Sequence, residues 1–281
     1  MITPLLPYPA GLLKTRDSRT MVISDLHIGW EMTLSQKGIH VPTQTPKMLK
    51  RIAELTRKHH PQRLLILGDV KHTIATAEKA EWHDVPDLFS ELRKIVPEIL
   101  VVRGNHDGNL TPLLPEGIEL LPATGAAIGD TGFFHGHQWP SPALLTCKTL
   151  VMGHVHPVVA FFDPVGFRVV RQVWVKASLN AEQLLKTLLK KQNSRRPKSA
   201  ETSRFEPSQI IPRASQLFIM PSFNDFLGGR PLNERTRHDK ARDEMIAGPV
   251  LRSEAVDMKN AEIYLLDGTF LGSLEQLRKM S

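Results

Sequence analysis

A single cysteine, Cys147, in a chain of 281 residues leaves neither a disulfide framework nor a thiolate zinc finger to hold the fold. Set in Leu144-Leu145-Thr146-Cys147-Lys148, it reads as a small buried filler. Nowhere do roughly 18 apolar residues run together, so no membrane-crossing helix is expected. The apolar stretch from Ile2 to Leu13 is short, is broken by Pro4, Pro7 and Pro9, and lacks the basic flank of a secretory signal. Internal repeats are also missing. These absences predict a cytoplasmic protein with no membrane association. Charge is only mildly one-sided: 36 basic against 29 acidic residues give +7 and a pI near 9.6. That balance suits a polyanionic substrate, and equally a surface that is simply soluble.

With 41% hydrophobic residues, the chain can bury one large core or two small ones. Strand-like and helix-like segments alternate to about Gln192, which favours a single α/β domain over 1–281. Residues 192–212, rich in Ser, Pro, Arg, Lys and Glu, read as a flexible insertion, and 235–258 as a charged, partly mobile segment.

Thr20 to Ile23 reads as a buried strand. A helix is expected from Pro46 to His59, capped by Thr45, with Met48, Leu49, Ile52 and Leu55 as its apolar stripe. Leu64 to Leu67 is the next strand. A second helix spans Ala77 to Ile95, with Trp82, Val85, Leu88, Phe89, Leu92 and Ile95 facing inward and Pro86 predicting a break or kink. Ile99 to Val102 completes a strand–helix–strand–helix–strand pattern, which implies parallel pairing through right-handed crossovers. Beyond Glu116 the pattern changes. A hairpin over Ala126 to Phe134 and strands at Leu150–Met152, Val158–Phe162 and Phe167–Val175 predict antiparallel pairing. Further strands are expected at Gln216–Met220 and Glu262–Leu266, after a short helix at Glu182–Lys191. Two sheets packed face to face with helices outside is the natural assembly.

Five polar motifs occur in order, most directly after an apolar run: Asp25-Leu26-His27, Gly68-Asp69, Gly104-Asn105-His106-Asp107, His135-Gly136-His137 and Gly153-His154-Val155-His156. Each alone is weak, since Asp-x-His arises often by chance and Gly-Asp suits a turn. Together they bring carboxylates, an amide oxygen and several imidazoles to the ends of buried strands, where a sheet can deliver them to one point. Oxygen and nitrogen ligands without thiolate favour Mn²⁺, Fe or Zn²⁺ over Ca²⁺, with Mn²⁺ the first choice. Gly104, Gly136 and Gly153 adjoin these residues and allow close backbone approach.

The ordered set, over about Met21 to Val175, resembles the calcineurin-like metallophosphoesterases. Asp25 to Gly29, Gly68 to His72 and Gly153 to Pro157 look most like the SbcD-related (ICC-like) phosphoesterases of archaea and bacteria. Met220 to Asn224 and Leu227-Gly228-Gly229 are also similar to that branch, less specifically. The resemblance implies an α/β four-layer α/β/β/α sandwich of two mixed sheets, with two divalent metal ions at one rim. Carried over by motif, Asp25, His27, Asp69 and His156 hold the first ion. Asp69, Asn105, His135 and His154 hold the second, so Asp69 bridges. The family usually takes the first histidine of the His-Gly pair, and His137 stays the alternative to His135.

Paired divalent ions acidify a shared water and clamp phosphoryl oxygens, so phosphoester hydrolysis is the expected chemistry. The resemblance makes His106 the group that protonates the leaving oxygen or steadies transition-state charge. Asp107 would orient that imidazole or cap a helix, and His72 would contact phosphate or leaving group or lie behind the ligands. Arg103 is a weaker phosphate candidate, and Phe223 and Asn224 are candidate cleft residues. The substrate is expected to be a phosphodiester, in DNA, RNA or a nucleotide. Phosphomonoesterase action is the alternative, and a non-catalytic binding scaffold the least favoured reading.

Overall fold

Strands buried on both faces need continuous apolar runs, and this chain places them in two sheets. The computed structural model describes residues 2–195, 210–234 and 248–280. The first sheet takes β1 (Ile2–Pro4), β2 (Gly11–Lys14), β3 (Arg19–Ile23), β4 (Arg63–Leu67), β5 (Glu98–Val102) and β6 (Glu119–Leu121), in that spatial order. β1 to β3 pair antiparallel, and β3 to β6 pair parallel. Short α1 (Trp30–Ser35) and the longer α2 (Thr45–His59) and α3 (Lys79–Leu92) form the crossovers.

The second sheet is built from β7 (Ala126–Ile128), β8 (Thr131–Phe134), β9 (Thr149–Met152), β10 (Val158–Phe162), β11 (Arg168–Leu179), β12 (Gln216–Ile219), β13 (Val256–Leu265) and β14 (Phe270–Ser273). Their order is β14-β13-β11-β12-β9-β8-β7, with β10 paired to β11. α4 (Ala181–Arg195) and α5 (Leu274–Lys279) belong to this half.

Period-two alternation divides the core into three. Val22, Leu65, Leu67, Leu100 and Val102 point inward and meet Phe133, Val151, Trp174 and Phe218 between the sheets. Met21, Ile23, Leu64, Ile66 and Val101 point outward onto Met48, Ile52, Leu55, Val85 and Phe89 of α2 and α3. Leu150, Met152, Val175, Leu217 and Ile219 pack on Leu184 and Leu188 of α4 and Leu274 and Leu277 of α5. The layers are α/β/β/α, the expected fold class.

Several expectations need correction. The second half is mixed, because β9 runs parallel to both β8 and β12. The connection from Phe134 to Thr149 carries a 3₁₀ turn at Pro142–Thr146, and such a length permits a parallel return. The N-terminal apolar stretch forms the β1–β2 hairpin at the sheet edge, where its prolines cost little ladder bonding. Thr45 is the first helical residue rather than the cap, which is Gln44. α3 runs through Pro86 without ending. Trp82, in the first turn of α3, is 52% exposed, while the adjacent Glu81 turns inward and is fully buried. Of the two flexible segments expected from composition, 196–209 and 235–247 lie outside the described residues. Within those spans, Gln192 to Arg195 continue α4 and Val256 opens β13.

After β12 the chain returns across the first sheet. Phe223 donates its N–H to Ser24 O at 2.7 Å, and Asn224 Nδ2 donates to Leu26 O at 2.9 Å. Both side chains are buried and support the first-motif turn instead of lining a cleft. The next residue, Asp225, accepts a two-point bond from Arg51 of α2 (2.8 and 2.7 Å) and one from Lys47 (3.1 Å). Burial raises its carboxyl pKa, but these cations outweigh burial and hold it below the usual 3.8. A carboxyl depressed in the folded state adds stability above its unfolded pKa, and that stability fades as pH falls through the folded value. Asp225→Asn is therefore expected to cost under about 1 kcal/mol at pH 7, because the pair is partly exposed. The deficit should shrink as pH falls below 3.8. Urea unfolding of both proteins across that range checks it, and a deficit that grows on acidification would contradict it.

Candidate metal centre

β3, β4, β5, β8 and β9 each end where a polar motif begins. What ends them is visible in the backbone. Among the described residues, seven non-glycine positions have positive φ, and five belong to the motifs: Asp25 (56°), His27 (44°), Asp69 (50°), His154 (70°) and His156 (46°). A left-handed residue cannot continue a strand, and each costs on the order of 1 kcal/mol or more. Such strain concentrated on one rim marks a site that the surrounding fold must hold in place.

The rim also needs glycine. A Cβ on Gly104 would lie 2.2 Å from Asp69 Oδ1 and 2.3 Å from its backbone nitrogen. One on Gly153 would lie 1.8 Å from Ser24 Oγ. The two sheets are joined there by short bonds. His154 N donates to Asp25 Oδ2 at 3.1 Å, and His135 Nδ1 donates to Leu67 O at 2.7 Å.

Three groups of side chains converge so that their candidate ligand atoms lie within 4.8 Å of one another: Asp25, His27 and His156; Asp69, His135 and His154; and His27, His72 and His106. Asp69 Oδ2 lies 3.4 Å from His27 Nε2 and 3.3 Å from His135 Nε2, so one carboxylate oxygen faces both of the first two groups. Asn105 Oδ1 lies 3.2 Å from His135 Nε2. His156 Nε2 lies 3.3 Å from Asp25 Oδ1.

The donor set fits a pair of divalent cations on an observation independent of the motifs. The Nε2 atoms of His27, His154 and His156 are buried without a well-aligned hydrogen bond, although carboxylate oxygens lie 3.4 Å from His27 Nε2 and 3.3 Å from His156 Nε2. Buried polar atoms are seldom left without partners, and several aimed at one rim call for an electrophile there. The Leu67 carbonyl also holds a His135 proton on Nδ1, so that Nε2 is the candidate ligand atom, a common outer arrangement in metal sites.

The electrostatics follow from carboxylates packed among imidazoles. Burial raises the Asp25 carboxyl, but His156 and His135 outweigh it and hold the pKa below 3.8. Burial likewise opposes ionisation of Asp69, but His135 and His27 hold it well below the usual value. His135 moves the other way: against burial, Asp69 and Asp25 carry it up to about 10. Burial and the His135 charge push His154 down to about 3.

His106 donates its backbone N–H to Asp69 Oδ1 at 2.9 Å, and its Nδ1 bonds to the His72 carbonyl. Its Nε2 lies 4.0 Å from Asp69 Oδ2. His72 stacks on His106 with centroids 5.6 Å apart and sets its Nδ1 3.2 Å from His27 Nδ1. Burial and the His27 charge push its pKa down to about 4. Asp107 is not placed on the His106 ring. Its two oxygens accept from Val70 N (2.9 Å) and Gly104 N (2.8 Å), so it ties the β4 and β5 ends together from below. Burial and Asp69 raise its carboxyl to about 6. The imidazole is steadied by a main-chain carbonyl because both Asp107 oxygens are already engaged.

A cleft of about 610 Å³ opens over these groups, lined by His27, Asp69, Asn105, His106, His154 and His156 among others. His137 also lines it, half-buried, with its ring 5.2 Å from that of His135 and its Nδ1 without a partner. Arg103 is not in the lining. Its guanidinium reaches Thr111 Oγ1 at 3.5 Å. Gly229, in a segment singled out from the sequence, also lines the cleft, as do Ile74 and Arg230, which the sequence did not point to, nor did it point to Ser24, whose hydroxyl bonds to Asp25. Arg230 directly follows the Leu227-Gly228-Gly229 segment, and that adjacency was its available signal.

Carboxylate, amide and imidazole groups gathered on the ends of strands from two sheets define a metal-dependent hydrolase. Over residues 18–167, more than half its length, the chain matches the calcineurin-like phosphoesterases and belongs to that family. No curated protein matches it significantly. Among solved structures it is similar to the nuclease MPE of Pseudomonas putida, at 18% identity and TM-score 0.48, over 95% of this chain and 98% of that one. It is also similar to YfcE, a phosphoesterase from E. coli, at 25% identity and TM-score 0.34, over 51% of this chain and 73% of that one. A protein of unknown function from Aquifex aeolicus, AQ665, aligns at 17% identity and TM-score 0.34, over 52% of this chain and 81% of that one. Among the described residues, no helix is long and apolar enough to cross a membrane.

Proposed function

We propose that this chain is a dinuclear phosphodiesterase of the SbcD-related branch, acting on nucleic acid or a nucleotide, with Mn²⁺ as its preferred metal. The observation that carries the reading is Asp69, whose Oδ2 faces both ligand groups at 3.3–3.4 Å. Asp25, His27, Asp69 and His156 would hold one ion, and Asp69, Asn105, His135 and His154 the other. When bound, such a pair acidifies water and offsets charge on a phosphoryl group.

The chain's own residues do the rest. Asp25 and Asp69 are kept ionised by the imidazoles around them. His106, with Nδ1 committed to the His72 carbonyl, presents Nε2 to the cleft, where as the imidazolium it can give its Nε2 proton to the departing oxygen and be left as the Nδ1–H tautomer. His72 backs that ring by stacking, and Asp107 holds the two ligand loops in register. Among the described lining residues Arg230 is the sole lysine or arginine.

The test compares bis-p-nitrophenyl phosphate with p-nitrophenyl phosphate in Mn²⁺. The diester should be preferred by about tenfold or more in kcat/KM, equal to roughly 1.4 kcal/mol. EDTA should abolish turnover, and added Mn²⁺ should restore it. Preference for the monoester would favour phosphomonoesterase action instead. Salt-sensitive cleavage of DNA or RNA would then identify a polymeric substrate.

A further inference from the structure

We propose that Glu81, a carboxylate outside the candidate ligand set, is a positioning residue that orients the His106 imidazole through the main chain of His72. Glu81 lies in the first turn of α3 and is fully buried, an unusual place for a glutamate. Helix capping accounts for only half of it. Its Oε2 accepts from Glu78 N at 2.8 Å, the usual reach of a third-position glutamate back to the cap. Its Oε1 serves nothing in the helix. It accepts from two consecutive amides of the loop after β4: His72 N at 2.9 Å, which is shared with Ile28 O at 3.0 Å, and Thr73 N at 2.6 Å, which belongs to the same peptide as the His72 carbonyl. Lys71, also fully buried, closes the same loop by donating Nζ to the carbonyls of Thr73 and Thr76.

A carboxylate that pins a peptide's N–H also sets the direction of the neighbouring carbonyls. Here the carbonyl at stake is that of His72, which takes the His106 Nδ1 proton. This bond selects the tautomer and leaves Nε2 toward the cleft, 4.0 Å from Asp69 Oδ2. The chain of contacts therefore runs from Glu81 to the His72–Thr73 amides, to the His72 carbonyl and on to the His106 ring. The first motif is tied to the same carboxylate. Gly29 has φ +89°, and a Cβ there would meet Glu81 Cγ at 2.8 Å. That contact gives the glycine of Asp25-Leu26-His27-Ile28-Gly29 a packing reason.

The inference rests on His106 acting in the proposed hydrolysis, and its test carries a readout independent of turnover. Glu81→Gln keeps the side chain's shape but replaces one acceptor oxygen by a donor. It is expected to lower kcat by about 10- to 100-fold, the usual range for groups that orient active-site residues. KM and Mn²⁺ content should stay the same. In a His106→Asn background the same change should alter kcat less than about twofold, because the two residues act as one unit. Long-range ¹H–¹⁵N spectra of the labelled protein, recorded at a pH where His106 is neutral, should show the Nδ1–H tautomer in wild type and a mixture in Glu81→Gln. Unchanged kcat with an unchanged tautomer overturns the proposal. So does an additive double mutant, or a kcat loss that follows metal loss. If Glu81→Gln does not fold, Glu81→Asp retains the charge one methylene short of the loop, and the same pattern is expected of it. Should wild type lack all phosphoesterase activity, the hydrolytic reading fails, while the tautomer shift still tests the tether.

Discussion

Asp69→Asn is expected to lower kcat/KM by about a thousandfold or more, a loss of roughly 4 kcal/mol of transition-state stabilisation. The substitution is nearly isosteric, so the effect is one of charge and of donor placement. Asp69 Oδ2 faces His27 and His135, while Oδ1 accepts the His106 amide at 2.9 Å. An asparagine cannot satisfy all three. If its oxygen stays on the His106 amide, its NH₂ faces the imidazoles and the electrophiles they would hold. If it flips, the buried amide of His106 loses its acceptor. Either way the one group common to both ligand clusters stops being an anion. Steady-state kinetics with bis-p-nitrophenyl phosphate and metal analysis of the purified variant measure this. Wild-type turnover in Asp69→Asn would revive the scaffold reading.

Gly153→Ala should be the most disruptive change of a single carbon. The added Cβ would sit 1.8 Å from Ser24 Oγ and 2.7 Å from Asp25 Oδ2, inside the joint between the two sheets. Ser24 and Asp25 are fully buried and bonded to each other, so neither can swing outward. Overpacking at such a point costs about 3 kcal/mol, which corresponds to a Tm lowered by roughly 6–12 °C in a chain of this size. Activity should fall more than stability predicts, because the displaced group is Asp25 itself. Gly108→Ala is the control for stability: its Cβ would meet nothing closer than Ile74 O at 3.8 Å. Thermal unfolding of both variants decides the matter, and equal Tm values would contradict the close-packed joint.

The site was more legible than the framework around it. Its candidate ligand residues are polar and sit where apolar strands stop, a contrast that the order of residues displays. The helices with strong stripes, α2 and the core of α3, were legible for the same reason. What stayed hidden depends on partners distant in sequence. The β1–β2 hairpin showed only as a short, proline-broken apolar stretch because its pairing with β3 carries no local signal. β9 reads like any antiparallel strand until β12, more than sixty residues later, lies parallel to it. Asp107 looked like a partner for the neighbouring imidazole, but the Val70 and Gly104 amides reach it first. Glu81 falls in a helix beside Trp82, where periodicity alone assigns it to solvent. Only the fold shows the main-chain amides of Glu78, His72 and Thr73 converging on its oxygens.

The most direct measurement is anomalous scattering from crystals grown with Mn²⁺. Two peaks per chain are expected, one among Asp25, His27 and His156 and one among Asn105, His135 and His154, with Asp69 touching both. A single peak, or peaks away from Asp69, would contradict the account.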